Sequence, residues 1–588
     1  MDNQRNLILA VVLSALILFG WDAGVRYFYP HADKPVVAQQ AAAPGAAVPS
    51  PAATAKPTRE GGLGTEAERA IEKQDLVTAL NPAGRIAIAA PGLSGSINRT
   101  GALIDDLTTN RHTASLKKDD GAARIFSPAG TPAQHYAQVG WAGTGIDLPT
   151  PATVWTAPAD AKLTPQTPVT LTWANATGQT FAITYKIDAD YMITADTAVA
   201  NSGAAPVSVQ PFALLNRTNH TASVDIWNLH AGPFGAFDGS VSFDPNYDDV
   251  AEAKQIANEG KANWLGFTDI YWMSVLIPTG DAASSDFRSQ GGGIFRADLL
   301  YKTVAVAPGA QVSQTTRIFA GAKESAVLDR YEASGITNFG KAIDWGWFFW
   351  FEKPIFWLLA KLFALAGNFG VAIILLTVIV RGMMFPIAQR QFASMAAMRA
   401  IQPKMKALQE RFKEDKQKLQ EETLKLYKTE GVNPLAGCLP IFLQIPVFFA
   451  LYKVLTLAVE MRHQPFYLWI HDLSSPDPAH ILNLFGLLPF TPPSLLGIGI
   501  LAVLLGVTMW YQFKLNPVAP DPVQQQVFSI MPWMMMFIMA PFAAGLLIYW
   551  ITSNVLTIAQ QKYLYSKHPQ MKAMMDKERA DILAAKAK

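Results

Sequence analysis

Arg381 is the residue in this sequence that most needs a chemical explanation. It lies 12 positions into an apolar run that begins at Phe369. A charged side chain at that depth in a bilayer costs from about 2.5 kcal/mol upward. Thr377 is its one polar neighbour a turn back, and the remaining apolar runs contain no acidic residue to neutralise it; Glu460 stands only at an end. The charge must therefore snorkel to the cytoplasmic surface or face a water-filled cavity. Other runs offer groups for the second case: Gln444, Gln512, and the cluster Thr552, Ser553, Asn554 and Thr557, with Tyr549 and Trp550 just ahead of it. Each alone would serve as interhelical glue. Together with an unpaired arginine they favour a cavity with a positive centre.

Such a cavity gives a short polar or acidic peptide tail a hydrated place part-way into the bilayer. An attached apolar segment could then leave sideways into lipid, driven by burial at about 25 cal/mol per Å². That step needs no nucleotide, and no phosphate-binding loop is present: Gly260-Lys261 and Gly340-Lys341 are each followed by Ala. There is no His-Glu-x-x-His and no nucleophile elbow in a plausible setting. His463, His471 and His480 share a loop with Asp472 and Asp477, but their spacing is weak support for a metal, and solvated loop residues explain them better. The single cysteine, Cys438, excludes an intramolecular disulfide framework and a Cys-based metal site. The protein is expected not to be an enzyme, with no catalytic residue, metal or cofactor.

The elements that must hold these groups emerge from composition. The chain has 588 residues, half apolar and 16% charged, too long for one domain and too apolar for an ordinary soluble enzyme. Residues 30–344 carry 23 Lys/Arg against 30 Asp/Glu, and residues 345–588 carry 23 against 14. An acidic block followed by a basic, apolar one suggests two sides of a membrane. The lysines of the basic half sit between apolar spans, so a membrane accounts for them better than nucleic acid, and no nucleic-acid specificity is expected.

Residues 1–29 fit an N-terminal transmembrane anchor, since Trp21 and Asp22 stand where a cleaved signal would place small residues. Residues 30–74 are expected to be a disordered Ala/Pro-rich linker, with nine Ala and four Pro within 38–57. Residues 75–330 alternate apolar and polar in short runs, such as Phe181-x-Ile183-x-Tyr185-x-Ile187, and predict a large antiparallel β-sandwich. The aromatic and charged stretch 345–367 predicts an amphipathic helix lying in the outer interface. A core transmembrane helix over 368–389 follows, then a cytoplasmic helical hairpin over 390–430, whose Met398, Ile401, Met405 and Leu408 line one face. Residues 431–563 hold the remaining core transmembrane helices, and 564–588 form a basic cytoplasmic tail.

The count is six spans, five of them in the core. The stretches 390–428 and 562–588 hold ten and seven Lys/Arg, whereas 460–493 holds only Arg462. Basic loops stay inside, so both termini and the hairpin are expected in the cytoplasm of a bacterial cell, with the β domain in the periplasm.

The run Ile379-Val380-Arg381-Gly382-Met383-Met384-Phe385-Pro386 resembles the YidC/Oxa/Alb family of membrane protein insertases. So do Ile401-Gln402-Pro403-Lys404, Val432-Asn433-Pro434-Leu435-Ala436-Gly437-Cys438, Leu443-Gln444-Ile445-Pro446-Val447-Phe448, Trp469-Ile470-His471-Asp472-Leu473-Ser474 and Asp521-Pro522. The motifs stand in the family's order along essentially the whole chain. The resemblance implies a bacterial inner-membrane, multi-pass insertase and chaperone. It would insert and fold nascent membrane proteins, alone or beside the Sec translocon, through a hydrophilic groove open to cytoplasm and lipid. It implies groove positions at Arg381, Thr377, Gln512, Tyr549 and Trp550, to which Gln444 and Asn554 are added from their positions in the spans. It also implies a periplasmic β-supersandwich similar to sugar mutarotases, although no catalytic pair matches, and a hairpin that meets incoming chains or targeting factors such as the ribosome or signal recognition particle receptor. Membrane lipids are the remaining partner.

One departure from the family is Pro541-Phe542-Ala543-Ala544 before Gly545, where relatives carry a Trp and a Pro nearer the Gly. Three other functions compete, of which a periplasmic sugar-processing enzyme with membrane anchors would leave the hairpin and the intramembrane arginine unexplained. A secondary transporter would need an internal repeat or a coupling carboxylate, and the core shows neither. A Sec-associated assembly factor without autonomous insertion is not separated from an insertase by sequence.

Overall fold

Alternation of apolar and polar residues becomes a two-layer β-sandwich in the computed structural model. The structure describes residues 61–567, apart from 64, 82–83, 117–119, 225–228, 347–348, 413–414, 432–438, 486–487, 489–496 and 516–521. The expected anchor over 1–29 and most of the basic tail lie outside these residues. An eleven-stranded and an eight-stranded sheet make the sandwich. Among the described residues its strand pairs are antiparallel except Ile86–Ala89 beside Lys162–Leu163. In the larger sheet Val207–Thr218 lies between His135–Ala142 and Ile294–Tyr301. In the smaller, Gln311–Ala322 lies between Trp272–Pro278 and Met192–Asn201. Phe181, Ile183, Tyr185 and Ile187 are all buried between the layers, as their period of two requires.

The linker expectation needs a correction. Residues 66–74 are not a disordered tether; they belong to helix α1, Glu66–Ala79. Thr65 accepts from the Glu68 amide while the Glu68 carboxylate accepts from the Thr65 amide, a capping box ahead of 14 residues without Gly or Pro. The Ala/Pro bias ends at Pro57, so composition alone already allowed a helix there.

The other helices are α2 Tyr247–Ala253, α3 Ser325–Ala333, α4 Phe349–Ala366, α5 Phe369–Met383, α6 Phe385–Arg411, α7 Lys416–Thr429, α8 Leu439–Leu457, α9 Ile500–Leu515, α10 Pro522–Met539 and α11 Ala544–Lys567. Helix α11 packs on α5 and α9, α9 on α10, and α4 on α5 and α8. The first core helix, expected over 368–389, stops at Met383 instead. Pro386 lacks the amide that would continue the ladder, and the chain bends by 59° into α6. Helices α6 and α7 form a hairpin, with Thr423 reaching Met405 and Lys404 paired to Glu430.

Among the described residues no single helix is long and apolar enough to cross a membrane; α5 together with Phe385–Phe392 passes as a bent pair. Helix length therefore does not by itself deliver the six expected spans. Two expected span starts, at 435 and 494, fall outside the described residues. Surface character is more telling than length. Helix α10 exposes Ile530, Trp533, Met534, Phe537 and Ile538, while the neighbouring α11 buries Ser553, Asn554, Thr557 and Gln561. Polar inside and apolar outside is the inverse of a water-soluble bundle.

The sandwich and helices meet through the end of α8 and the segment that follows it. Arg462 donates to the carbonyls of Thr113 at 2.7 Å and Ala114 at 2.9 Å, and its guanidinium lies over the rings of Tyr271 and Trp272. The Ser325 amide donates to Glu460 at 2.9 Å, and Lys453 donates to the Asp344 carbonyl at 3.0 Å. Burial pushes the Glu460 carboxyl up to about 7 from an ordinary 4.5. Between those values the folded protein holds a proton that the unfolded chain has released, so stability falls as pH rises through this window and then levels off above it. Glu460→Gln should flatten that component. Melting temperatures compared across the window check it, and an unchanged slope in the variant would sink the assignment.

Candidate functional site

Helix α5 starts on Asn368, whose side chain accepts from the Val371 amide at 3.2 Å. From that start the buried stripe runs through Phe369, Ala372, Ile373, Leu376, Thr377 and Val380. Arg381 follows at the edge of the stripe, where its guanidinium reaches α11. There Nε donates to Ser553 Oγ at 3.1 Å, and Nη2 donates to the same oxygen. Gln560 Nε2 lies 3.5 Å from the Arg381 carbonyl. No carboxylate pairs with Arg381 among the described residues. Among the described residues the side-chain hydrogen bonds of the guanidinium go to the Ser553 hydroxyl.

The expected site residues divide into those the fold gathers and those it does not. Gln444 on α8 donates to the Tyr549 hydroxyl on α11, and Asn554 donates to Thr508 Oγ1 on α9 at 3.2 Å. Trp550 packs edge-on against Phe448, with ring centres 5.3 Å apart. Helices α5, α8 and α9 thus each make a polar side-chain contact with α11. Thr377 is fully buried, but its hydroxyl donates to the Ile373 carbonyl of its own helix at 2.7 Å. Among the described residues it makes no hydrogen bond to another helix. Gln512 is half-buried on α9, and no hydrogen bond joins it to the others among the described residues.

Ser553, the direct partner of Arg381, is in the sequence only one of several polar residues in its span. The signal for it was available: Tyr549, Ser553, Thr557 and Gln561 recur every four residues, which puts them on one face of α11. Gln561 is fully buried and donates to the Leu515 carbonyl at 3.0 Å, continuing that face toward the end of α9. Thr508 carried no such signal, because its role depends on how α9 rotates against α11.

The segment 460–475 closes over the start of α11. The Ala544 amide donates to Ser475 O at 2.8 Å and the Gly545 amide to Leu473 O at 2.9 Å, pinning the turn between α10 and α11. A Cβ on Gly545 would stand 2.7 Å from Leu455 and 3.2 Å from Ile373, so glycine is what lets α11 approach α5 and α8 there. The loop carboxylates serve this closure. Asp477 accepts from Trp469 Nε1, the Ala479 amide and the Leu501 amide, and Asp472 accepts from the His463 and Ser474 amides. Among the described residues no group of three His, Cys, Asp or Glu is placed to hold a metal.

Comparison with known proteins follows the same division of the chain. Residues 361–572 match the family described as 60Kd inner membrane protein, and residues 85–358 match the YidC periplasmic domain. These define an inner-membrane protein whose β-sandwich is a periplasmic domain. The Membrane protein insertase YidC of Zymomonas mobilis is 43% identical over 580 residues, covering 98% of this chain and 97% of its own. That of Rhizobium etli is 40% identical over 587 residues, covering 97% and 96%. A solved structure described as an active YidC insertase with its first transmembrane domain resolved is 20% identical, covers 81% of this chain and 91% of its own, and has a TM-score of 0.35. The chain belongs to the YidC family.

Proposed function

We propose that the protein inserts and folds inner-membrane proteins; its relatives are named as membrane protein insertases. The observation that carries this reading is a half-buried guanidinium bonded to a serine hydroxyl, with no countercharge among the described residues, among helices that expose apolar faces. Polar groups from four helices make the interior a favourable stopping place for a short hydrophilic tail. The apolar flank of α5, with Val378, Ile379 and Met383 exposed, lies next to it. A substrate's apolar segment can pass over that flank into lipid, driven by its own burial.

In this reading the helices span the membrane six times, both termini and the α6–α7 hairpin are cytoplasmic, and the polar interior is a groove open to cytoplasm and lipid. The loop 460–475 closes its outer end. Insertion proceeds without nucleotide hydrolysis, alone for small substrates and beside the Sec translocon for larger ones. The hairpin receives incoming chains or the ribosome and signal recognition particle receptor. Exposed Trp350 and Trp357 on α4 would then sit at the headgroup level.

Reconstitution of the purified protein alone in liposomes tests the central claim. A labelled single-span substrate with a short acidic tail should yield a protease-protected fragment well above empty liposomes, with no nucleotide added. Absence of protection with folded protein and soluble substrate would leave only a Sec-dependent assembly role.

A further inference from the structure

The segment that joins α8 to α9 turns polar side chains inward and leaves apolar ones outside. Its turn Ile481-Leu482-Asn483-Leu484-Phe485 has one polar residue, and that residue, Asn483, is only 6% exposed. The four apolar neighbours stand 45–56% exposed. A second knuckle of the same kind, Tyr467-Leu468, is 60% and 82% exposed. Neither is slack chain. The Phe485 amide donates to the His480 carbonyl at 2.8 Å and the Ile481 amide to Ile498 O at 3.0 Å, which fixes the first knuckle beside the start of α9. Leu468, Leu484 and Phe485 have φ of 64°, 50° and 61°, the left-handed region that residues other than glycine seldom enter. Buried Asp477 ties the two knuckles together. It accepts from Trp469 Nε1, next to Leu468, at 2.9 Å, and from the Ala479 and Leu501 amides at 3.0 and 2.8 Å.

Contiguous exposed apolar side chains mark a surface for a protein or a membrane. Here the surroundings select the membrane. Residues 478–513 contain no Lys, Arg, Asp or Glu, whereas a protein interface is bordered by a polar rim. The segment runs directly into α9, whose exposed Leu504 and Val507 share one face. Tyr467 adds an amphipathic ring of the kind favoured at the boundary between water and hydrocarbon. We propose that Tyr467-Leu468 and residues 481–485 insert into the outer leaflet of the bilayer as two rigid apolar anchors. The proposal rests on the reading that α8 and α9 cross the membrane, and adds to it a lipid-contact surface outside the spans. Arg462, a few residues before Tyr467, holds the sandwich through Thr113 and Ala114. The anchors therefore also fix the height of the β domain above the membrane.

The test uses the full-length protein with Cys438→Ser, an environment-sensitive fluorophore on one introduced cysteine, and phospholipid nanodiscs. Leu468→Cys and Phe485→Cys report the two knuckles in separate proteins, so a local misfold at one leaves the other readable. Val154→Cys, 63% exposed on the β domain, reports water, and Phe537→Cys, exposed on α10, reports lipid. Interfacial anchors sit about 5–10 Å deep, so lipids with a nitroxide just below the headgroup should quench 468 and 485 at least about threefold more than 154. Aqueous iodide should show the reverse order. Labels at 468 and 485 that follow 154, while 537 is quenched by lipid, overturn the proposal and leave the spans intact. Shielding of both knuckles from both quenchers also overturns it, because a protein surface then covers them. A 537 label that the lipid quencher does not reach removes the spans, and the anchors with them.

Discussion

Arg381→Ala should reduce insertion of single-span substrates with acidic tails at least about tenfold, while substrates with neutral tails stay within about twofold of wild type. A tenfold change corresponds to about 1.4 kcal/mol, and two unit charges 4 Å apart at an effective dielectric of about 20 interact by roughly 4 kcal/mol. Partial hydration of the groove brings the expected effect down toward the smaller figure. Arg381→Lys keeps the charge but cannot reproduce the two-nitrogen contact with Ser553, so it should retain most acidic-tail insertion. Protease protection in liposomes, at matched protein levels, reads all three. Equal loss for acidic and neutral tails would remove charge attraction from the mechanism and leave the arginine as a structural link between α5 and α11.

Asp269→Ala is expected to be the most damaging single change in the β domain. Arg217 and Asp269 are both almost fully buried and bonded to each other, and Asp269 Oδ1 also accepts from the Ser223 amide at 2.8 Å. Removing the carboxylate leaves a guanidinium with no compensating charge in the interior, a loss of about 3–5 kcal/mol. For a domain of this size that lowers the melting temperature by roughly 10 °C. Differential scanning calorimetry of the purified protein checks it. A loss below about 1 kcal/mol would mean that water reaches the pair and screens it.

Much of this arrangement was legible beforehand, for physical reasons that differ by region. The sandwich strands announce themselves because a half-buried strand must alternate, and Phe181 to Ile187 does so without interruption. Helix α1 was readable from Thr65 and Glu68, but the Ala/Pro bias just upstream masked it. Ser553 was readable from the four-residue recurrence along α11. The end of α5 was less so: Pro386 marks a break, but the 59° bend depends on how α6 packs beyond it.

What the sequence determined by itself is the set of local, periodic and compositional properties: a β domain, an apolar helical part, and a lone arginine with no acid to neutralise it. Those follow from rules that act within a few residues or on total charge. Tertiary structure alone decided which hydroxyl meets Arg381, and that Arg462 leaves the helical part to stack on Tyr271 and Trp272. Contacts between residues 172 to 349 positions apart depend on the rotation and crossing of whole elements, and no short-range pattern encodes these.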